Sequence, residues 1–416
     1  MKKKSQKRMI TKDMLKTKSF YLKSKLLNRS RRGDPRLKST KKMVDMVLNL
    51  NLKAIQQEKP ITLTTILSPS EILYALDLIP ICAETTASFL ASFGLGDDFL
   101  TIAEKHFHSP ETCSFLRCAT GAVMDNLFPQ PAAVIATTHL CDAGAKMISY
   151  ASQVYDCEYF LIDIPQEKSE EAIDYVARQL EEMAQRLSEL TGRKLSKEKL
   201  AKAIERSNEA RRYALQANEL RQSIPAPMRG SEALSYLYLP GIGFGSNETV
   251  EIYRKMAAEL ERRVAKKFSP LEEERHRLLW LHVKPYFPNR LFRYLEKEKK
   301  ASIAFEEVNH IFWPELDPEQ PFRSVAQKLN ANLFQGPIDS YIELLLNLVE
   351  KYKVDGVVHY AHWGCRWNYG RMPNVKEALQ AKGIPFLRLD LDSISSRDYF
   401  EGQLNSRIDT FLDMLS

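Results

Sequence analysis

Six cysteines and eight histidines supply the soft ligands and proton carriers of this 416-residue chain. The cysteines stand at 82, 113, 118, 141, 157 and 365, with no Cys-x2-Cys pair among them. That spacing argues against a zinc ribbon or knuckle. Three of them close short apolar runs: Cys82 after Leu78-Ile-Pro-Ile, Cys141 after Ala132-Ala-Val-Ile-Ala-Thr-Thr-His-Leu, and Cys365 after Val354-Asp-Gly-Val-Val-His-Tyr-Ala-His-Trp-Gly. Runs of this kind, rich in β-branched residues, read as buried parallel strands. In open α/β sheets, ligands sit in the loops at the carboxyl ends of strands. Thiols brought to such loops from distant parts of the chain point to one iron–sulfur site.

His139, His359 and His362 flank these loops. Histidine titrates near neutrality, so each can pass a proton to a reduced substrate or hydrogen-bond a cluster sulfur. Arg366 can neutralise cluster charge or grip an anionic substrate. Ser109-Pro-Glu-Thr reads as a helix start that places Cys113 in the first turn. There the positive end of the helix favours a thiolate. Cys118, five residues on, lies about 140° round that helix, an offset better suited to two neighbouring cubes than to one. Cys157 opens its strand instead of closing it, which by strand geometry alone makes it structural.

The formal charge of +7 is unevenly placed. Residues 1–42 hold 17 Lys+Arg against 2 Asp+Glu, and the rest of the chain holds 43 against 51. The basic arm has only Phe20 and Tyr21 as aromatics, so a helical arm, solvated or docked on an acidic body, is expected in preference to a nucleic-acid or membrane surface. No apolar run is long enough for a membrane span, and no secretory signal is present. The expected compartment is the cytoplasm, where six cysteines remain free of disulfides. No Walker A pattern occurs, and Gly241-Ile-Gly-Phe-Gly follows no strand, so it reads as a loop and not a dinucleotide fingerprint.

The elements that must position the thiols follow an α/β rhythm. Residues 1–60 form a basic helical extension, and 61–165 a first α/β domain. Within it, Ser68-Pro-Ser-Glu71 reads as a capping box with Ser68 as N-cap and Pro69 at the first helical position. Residues 166–270 are helical: the apolar positions 173, 176, 180, 183, 187 and 190 step by three and four, and Gly192 stops that helix. A second helix runs from about Ser196 to Leu220. Residues 271–416 form a second α/β domain, with strands at 278–283, 302–308, 354–361 and 384–392 and helices at 337–352 and 374–381. The expected fold is two doubly wound parallel-sheet domains, of the Rossmann or flavodoxin kind, with the cluster in the cleft between them.

Several motifs together resemble the 2-hydroxyacyl-CoA dehydratase and benzoyl-CoA reductase family: Ser68-Pro-Ser-Glu-Ile-Leu-Tyr-Ala, Cys113-Ser-Phe with Ala119-Thr-Gly, Cys141-Asp, His362-Trp-Gly-Cys365-Arg, Gly383-Ile-Pro-Phe-Leu, and Gly402-Gln-Leu-Asn-Ser-Arg. The resemblance spans about residues 60–416. It implies a [4Fe–4S] cluster with one open iron on the matching Cys113, Cys141 and Cys365. It also implies electrons from a separate ATP-dependent iron–sulfur activator. Cys82, Cys118 and Cys157 exceed that pattern, and three plus three thiols is the ligand count of a double-cubane [8Fe–9S] cluster. A double-cubane branch of the family is similar. On that resemblance the chain is expected to be a homodimeric low-potential oxidoreductase, binding all six cysteines to the cluster and reducing small molecules, with His362 and His359 as catalytic candidates. The alternative is a dehydratase or acyl-CoA reductase subunit with one cluster, paired with a homologous subunit.

Overall fold

The computed structural model describes residues 12–30, 36–332 and 334–415. Two four-stranded parallel sheets organise it. The first contains β1 (Ile61–Thr64), β2 (Ile79–Cys82), β3 (Ala133–Thr137) and β4 (Glu158–Ile162), in the order β2-β1-β3-β4. The second contains β5 (His276–Leu281), β6 (Ala301–Glu306), β7 (Gly356–His362) and β8 (Phe386–Leu391), in the order β6-β5-β7-β8. Every strand pair is parallel. The expected α/β architecture of two doubly wound domains is what the chain adopts.

Each sheet is covered on both faces, which is why its central strands are nearly continuous apolar runs. On β3, Ala133 and Ile135 face one core, and Val134 and Ala136 face the other. On β5, Leu278 and Trp280 alternate in the same way with Leu279 and Leu281. Burying the valine, isoleucine and leucine side chains among them is worth about 1.5–3 kcal/mol each.

The middle segment forms the helices Glu170–Thr191, Lys197–Leu220 and Asn247–Ala265. Ser169, Ser196 and Ser246 cap them by accepting from Ala172, Lys199 and Thr249 N–H groups, and Gly192 ends the first at φ +65°. These helices share one apolar core with the first sheet and with helix Lys38–Ile55. That N-terminal helix is therefore part of the body. Buried Glu232 and Glu259 accept its first N–H groups, from Leu37 at 2.7 Å and from Lys38 and Ser39 at 2.9 Å each. Residues 1–11 and 31–35 of the expected arm lie outside the described residues.

Two buried ion pairs bolt the parts together. Lys328 meets Glu71 at 2.6 Å, joining helix Pro321–Asn330 to helix Ser70–Ala75. Arg221 meets Glu306 at 2.7 Å, joining the middle helices to the end of β6. The first pair overturns the expected capping box. Glu71 takes Lys328 and the Ser207 hydroxyl in the interior, Pro69 is the N-cap, and the Ser68 hydroxyl donates to Thr65 O. A buried carboxylate needs a cation more than a helix start needs a second acceptor. Helix Arg366–Ala381 also begins earlier than Asn374, because Pro373 is accommodated within it. The Gly241 run is divided between the short helix Tyr238–Ile242 and the turn after it.

A thiol-lined cavity between the two sheets

In the first sheet the chain goes from β1 to β2 on one side and then crosses to β3 on the other. In the second sheet it does the same with β5, β6 and β7. The crevice of a doubly wound sheet opens at the carboxyl ends of the two strands flanking that reversal. Here those are β1 and β3, and β5 and β7. All four loops meet one cavity of about 950 Å³, through Ile66, His139 and Cys141, His282, and Gly364 and Cys365. Cys113 reaches the same cavity from the loop before helix Ser114–Met124.

Cys113, Cys141 and Cys365 share one local device. Each is the N-cap of the helix that follows: Ser114–Met124, Asp142–Tyr155 and Arg366–Ala381. Cys113 thus sits one position before the expected first turn. Three helix N-termini direct partial positive charge at the thiols. Burial pushes all three thiols up, Cys141 to about 11, and their neighbouring thiols raise Cys113 and Cys141 further. Backbone N–H groups of Phe115 and Leu116, of Ala143 and Gly144, and of Asn368 pull the other way.

Two histidines finish the thiol environment, with opposite tautomers. His362 Nδ1 accepts from Ser393 N–H at 3.2 Å, so its proton is on Nε2, which faces Cys113 Sγ at 3.3 Å. His282 Nδ1 donates to Tyr360 O at 3.3 Å, so its Nε2 is an acceptor, 3.7 Å from Cys365 Sγ. Burial pulls His362 below its ordinary pKa and His282 well below it, so both rings are neutral. His362 is thus built to donate to a thiolate, and His282 to accept a hydrogen bond from a thiol.

The other expected site residues are placed differently. Cys118 lies inside helix Ser114–Met124 in the core of the first domain. Cys157 precedes β4, at the amino end of the sheet and away from the crevice. Cys82 caps helix Ala83–Ser92, but β2 is an edge strand, and the thiol packs with Val47 and Ile242 in a separate small pocket. It donates to Glu84 at 3.3 Å, and Glu84 does line the main cavity. His359 points to the opposite face of β7 from His362 and bonds Asn368. Residues three apart on a strand must face opposite ways. His139 lines the cavity with neither ring nitrogen partnered among the described residues, and burial pulls it down to about 3. Arg366 is exposed at the cavity wall. Sequence reasoning missed His282. The signal for His282 was its place just past β5, where it holds a left-handed φ of +75°.

Three thiols at one cavity are a donor set that suits soft metals and iron–sulfur clusters. Among the described residues no three ligating side chains converge on one point as a single ion requires.

Fold and site together define a two-sheet α/β protein with a cysteine-lined cleft. A family model described as 2-hydroxyglutaryl-CoA dehydratase, D-component, matches residues 65–415, and the chain belongs to that family. Relatives include the (R)-phenyllactyl-CoA dehydratase alpha subunit of Clostridium sporogenes, 23% identical over 82% of this chain and 86% of the relative. The (R)-2-hydroxyisocaproyl-CoA dehydratase alpha subunit of Clostridioides difficile is 22% identical over 87% and 92%. The (R)-2-hydroxyglutaryl-CoA dehydratase subunit alpha of Acidaminococcus fermentans is 22% identical over 69% and 61%. Among the described residues no helix is long and apolar enough to cross a membrane.

Proposed function

We propose that the chain is a subunit of a 2-hydroxyacyl-CoA dehydratase that holds one [4Fe–4S] cluster on Cys113, Cys141 and Cys365. The observation that carries this is the placement of the thiols: these three line the cavity, while Cys82, Cys118 and Cys157 do not. That distribution, with relatives that are dehydratase alpha subunits, favours the dehydratase over the six-thiol double-cubane oxidoreductase expected from cysteine count. When bound, such a cluster supplies low-potential one-electron chemistry and Lewis acidity at the thiol end of the cavity.

The chain's own residues do the rest. Helix N-termini and the His362 Nε2–H stabilise negative charge on the thiolates. His282 Nε2 accepts a hydrogen bond from the Cys365 thiol before the ligand ionises. Phe115, Leu116, Ile311 and Trp313 give the cavity apolar wall. The alpha-subunit names of the relatives support a second, homologous subunit in preference to a homodimer, and an ATP-dependent activator remains part of the proposal. The acyl groups named for those relatives differ, so they do not fix the acyl group here.

The test is formation of an enoyl-CoA from a (R)-2-hydroxyacyl-CoA, by the chain with its partner subunit and an ATP-driven reductant. Turnover lost in Cys113→Ser and retained in Cys118→Ser supports the reading. Loss in both, with intact folding, favours the double cubane.

A further inference from the structure

The chain leaves β8 into a loop, residues 392–397, that reaches across to the first domain. Ile394 buries its side chain in the apolar core that holds Leu90, Leu95 and Phe99. Its carbonyl oxygen lies 2.7 Å from where a Cβ on Gly96 would stand, so position 96 has no room for a side chain. Asp97, in the first turn of helix Gly96–Lys105, accepts the Ser395 hydroxyl at 2.7 Å and the Ser396 hydroxyl at 2.8 Å. Arg397 pairs with Asp97 at 3.3 Å and with Glu104 at 2.9 Å. These contacts dock the loop, and none of them is made by Asp392.

Asp392 acts within the loop and beside the thiols. Its Oδ1 accepts the N–H groups of Ile394 and Ser395 at 2.7 Å each, which closes a turn through the side chain. The same oxygen accepts the Ser114 hydroxyl at 2.7 Å, from the residue that follows Cys113. Between Asp392 and Ile394 stands Ser393, whose N–H meets His362 Nδ1 at 3.2 Å. The Tyr360 hydroxyl donates to Asp392 O at 2.5 Å, and the Tyr286 N–H to Ser393 O at 2.8 Å, so the start of the turn is held from behind. One carboxylate therefore grips both sides of the His362–Cys113 contact. It holds the neighbour of the thiol, and it holds the turn that supplies the ring's other hydrogen bond. The bond made by one imidazole nitrogen decides which nitrogen carries the proton, and so what the other offers.

We propose that Asp392 is a positioning residue for the thiol end of the site: it closes the turn that aims the Ser393 N–H at His362, and so fixes the Nε2–H that His362 presents to Cys113. This rests on the reading of Cys113 as a cluster ligand, and adds the group outside the ligands that sets its hydrogen bond. Asp392 acts across the domain boundary, so the donor to a thiol of the first domain is set by a turn of the second.

The experiment follows the His362 ring in the full chain, labelled with 15N-histidine and free of cluster, by two-bond 15N–1H correlation. The His362 signals among the eight histidines are assigned by their loss in His362→Gln. The wild type should show the Nε2–H form alone. Asp392→Asn keeps the acceptor without the charge and should retain that form. Asp392→Ala should show a mixture of the two neutral tautomers, and Ser396→Ala, which loosens only the docking, should match the wild type. With iron bound, the midpoint potential of Asp392→Ala should be more negative than that of Asp392→Asn. Both lack the charge, so the difference reads the lost hydrogen bond. A single Nε2–H form in Asp392→Ala overturns the inference, and so does the same mixture in Ser396→Ala. An Nδ1–H form in the wild type overturns it even where a variant fails to fold. Wild-type chain that takes up no iron overturns the cluster reading instead, and the ring signals still decide the role of Asp392.

Discussion

Replacing Gly364 by alanine changes no thiol, no histidine and no charge, yet it strikes the point where the two domains present their ligands to one another. Gly364 holds φ +74° in the loop before Cys365. A side chain there costs about 1–2 kcal/mol in backbone conformation alone. Its Cβ also meets Cys113 N at 2.7 Å, Cys113 Cα at 2.8 Å and Thr112 C at 2.9 Å. These are backbone atoms, so no rotamer change relieves the overlap. Moving from 2.7 Å to an ordinary contact of 3.4 Å opens the Cys113 and Cys365 loops by about 0.7 Å. Metal–ligand distances tolerate only about 0.2 Å. Gly364→Ala should therefore lose most of its iron and at least about 1–2 kcal/mol of stability, measured by iron and labile sulfide per chain and by urea unfolding. Gly402→Ala is the control. It lies in helix Glu401–Asp413 with nothing within 4 Å of the new Cβ, and should be neutral or gain up to about 1 kcal/mol. Full iron content and unchanged stability in Gly364→Ala would refute the close approach of the two loops.

Two further outcomes follow from the same geometry. His362→Ala removes the N–H donor facing Cys113 and should make the reduction potential of the bound cluster more negative, as read by redox titration followed by electron paramagnetic resonance; an unchanged potential contradicts the tautomer assigned here. Glu296, buried against Ser231, is pushed by burial up to about 6 from 4.5. A folded pKa above the unfolded one means that this stabilising contribution is complete below pH 4.5 and is lost as pH rises through 6. The shift is worth about 2 kcal/mol, so Glu296→Gln should gain that much on the wild type between pH 4.5 and 7 in urea unfolding, and parallel pH profiles would contradict it.

Much of this architecture is legible in residue types. Apolar β-branched runs mark β1, β3 and β7, and serines mark the starts of the middle helices. Strand order is not legible, and it decides which strand ends share the crevice. Cys82 has the same local grammar as Cys141, but β2 is an edge strand, so its thiol lies in another pocket. His282 has no motif around it, yet it belongs to the site because β5 flanks the reversal in the second sheet. The separation of His359 from His362 was available from strand alternation alone. Glu71 reads locally as a cap and is claimed instead by Lys328, 257 residues away. The resemblance in the cysteine motifs reaches the three thiols that the fold then gathers round the cavity, and strand order and burial part them from the other three.

The central claim is that three thiols, and not six, hold one cluster. Iron and acid-labile sulfide per chain, on protein purified without oxygen, test it directly. About four irons per chain are expected, retained in Cys82→Ala, Cys118→Ala and Cys157→Ala and lost in Cys113→Ala, Cys141→Ala and Cys365→Ala. About eight irons, falling when any one of the six cysteines is replaced, would contradict the account.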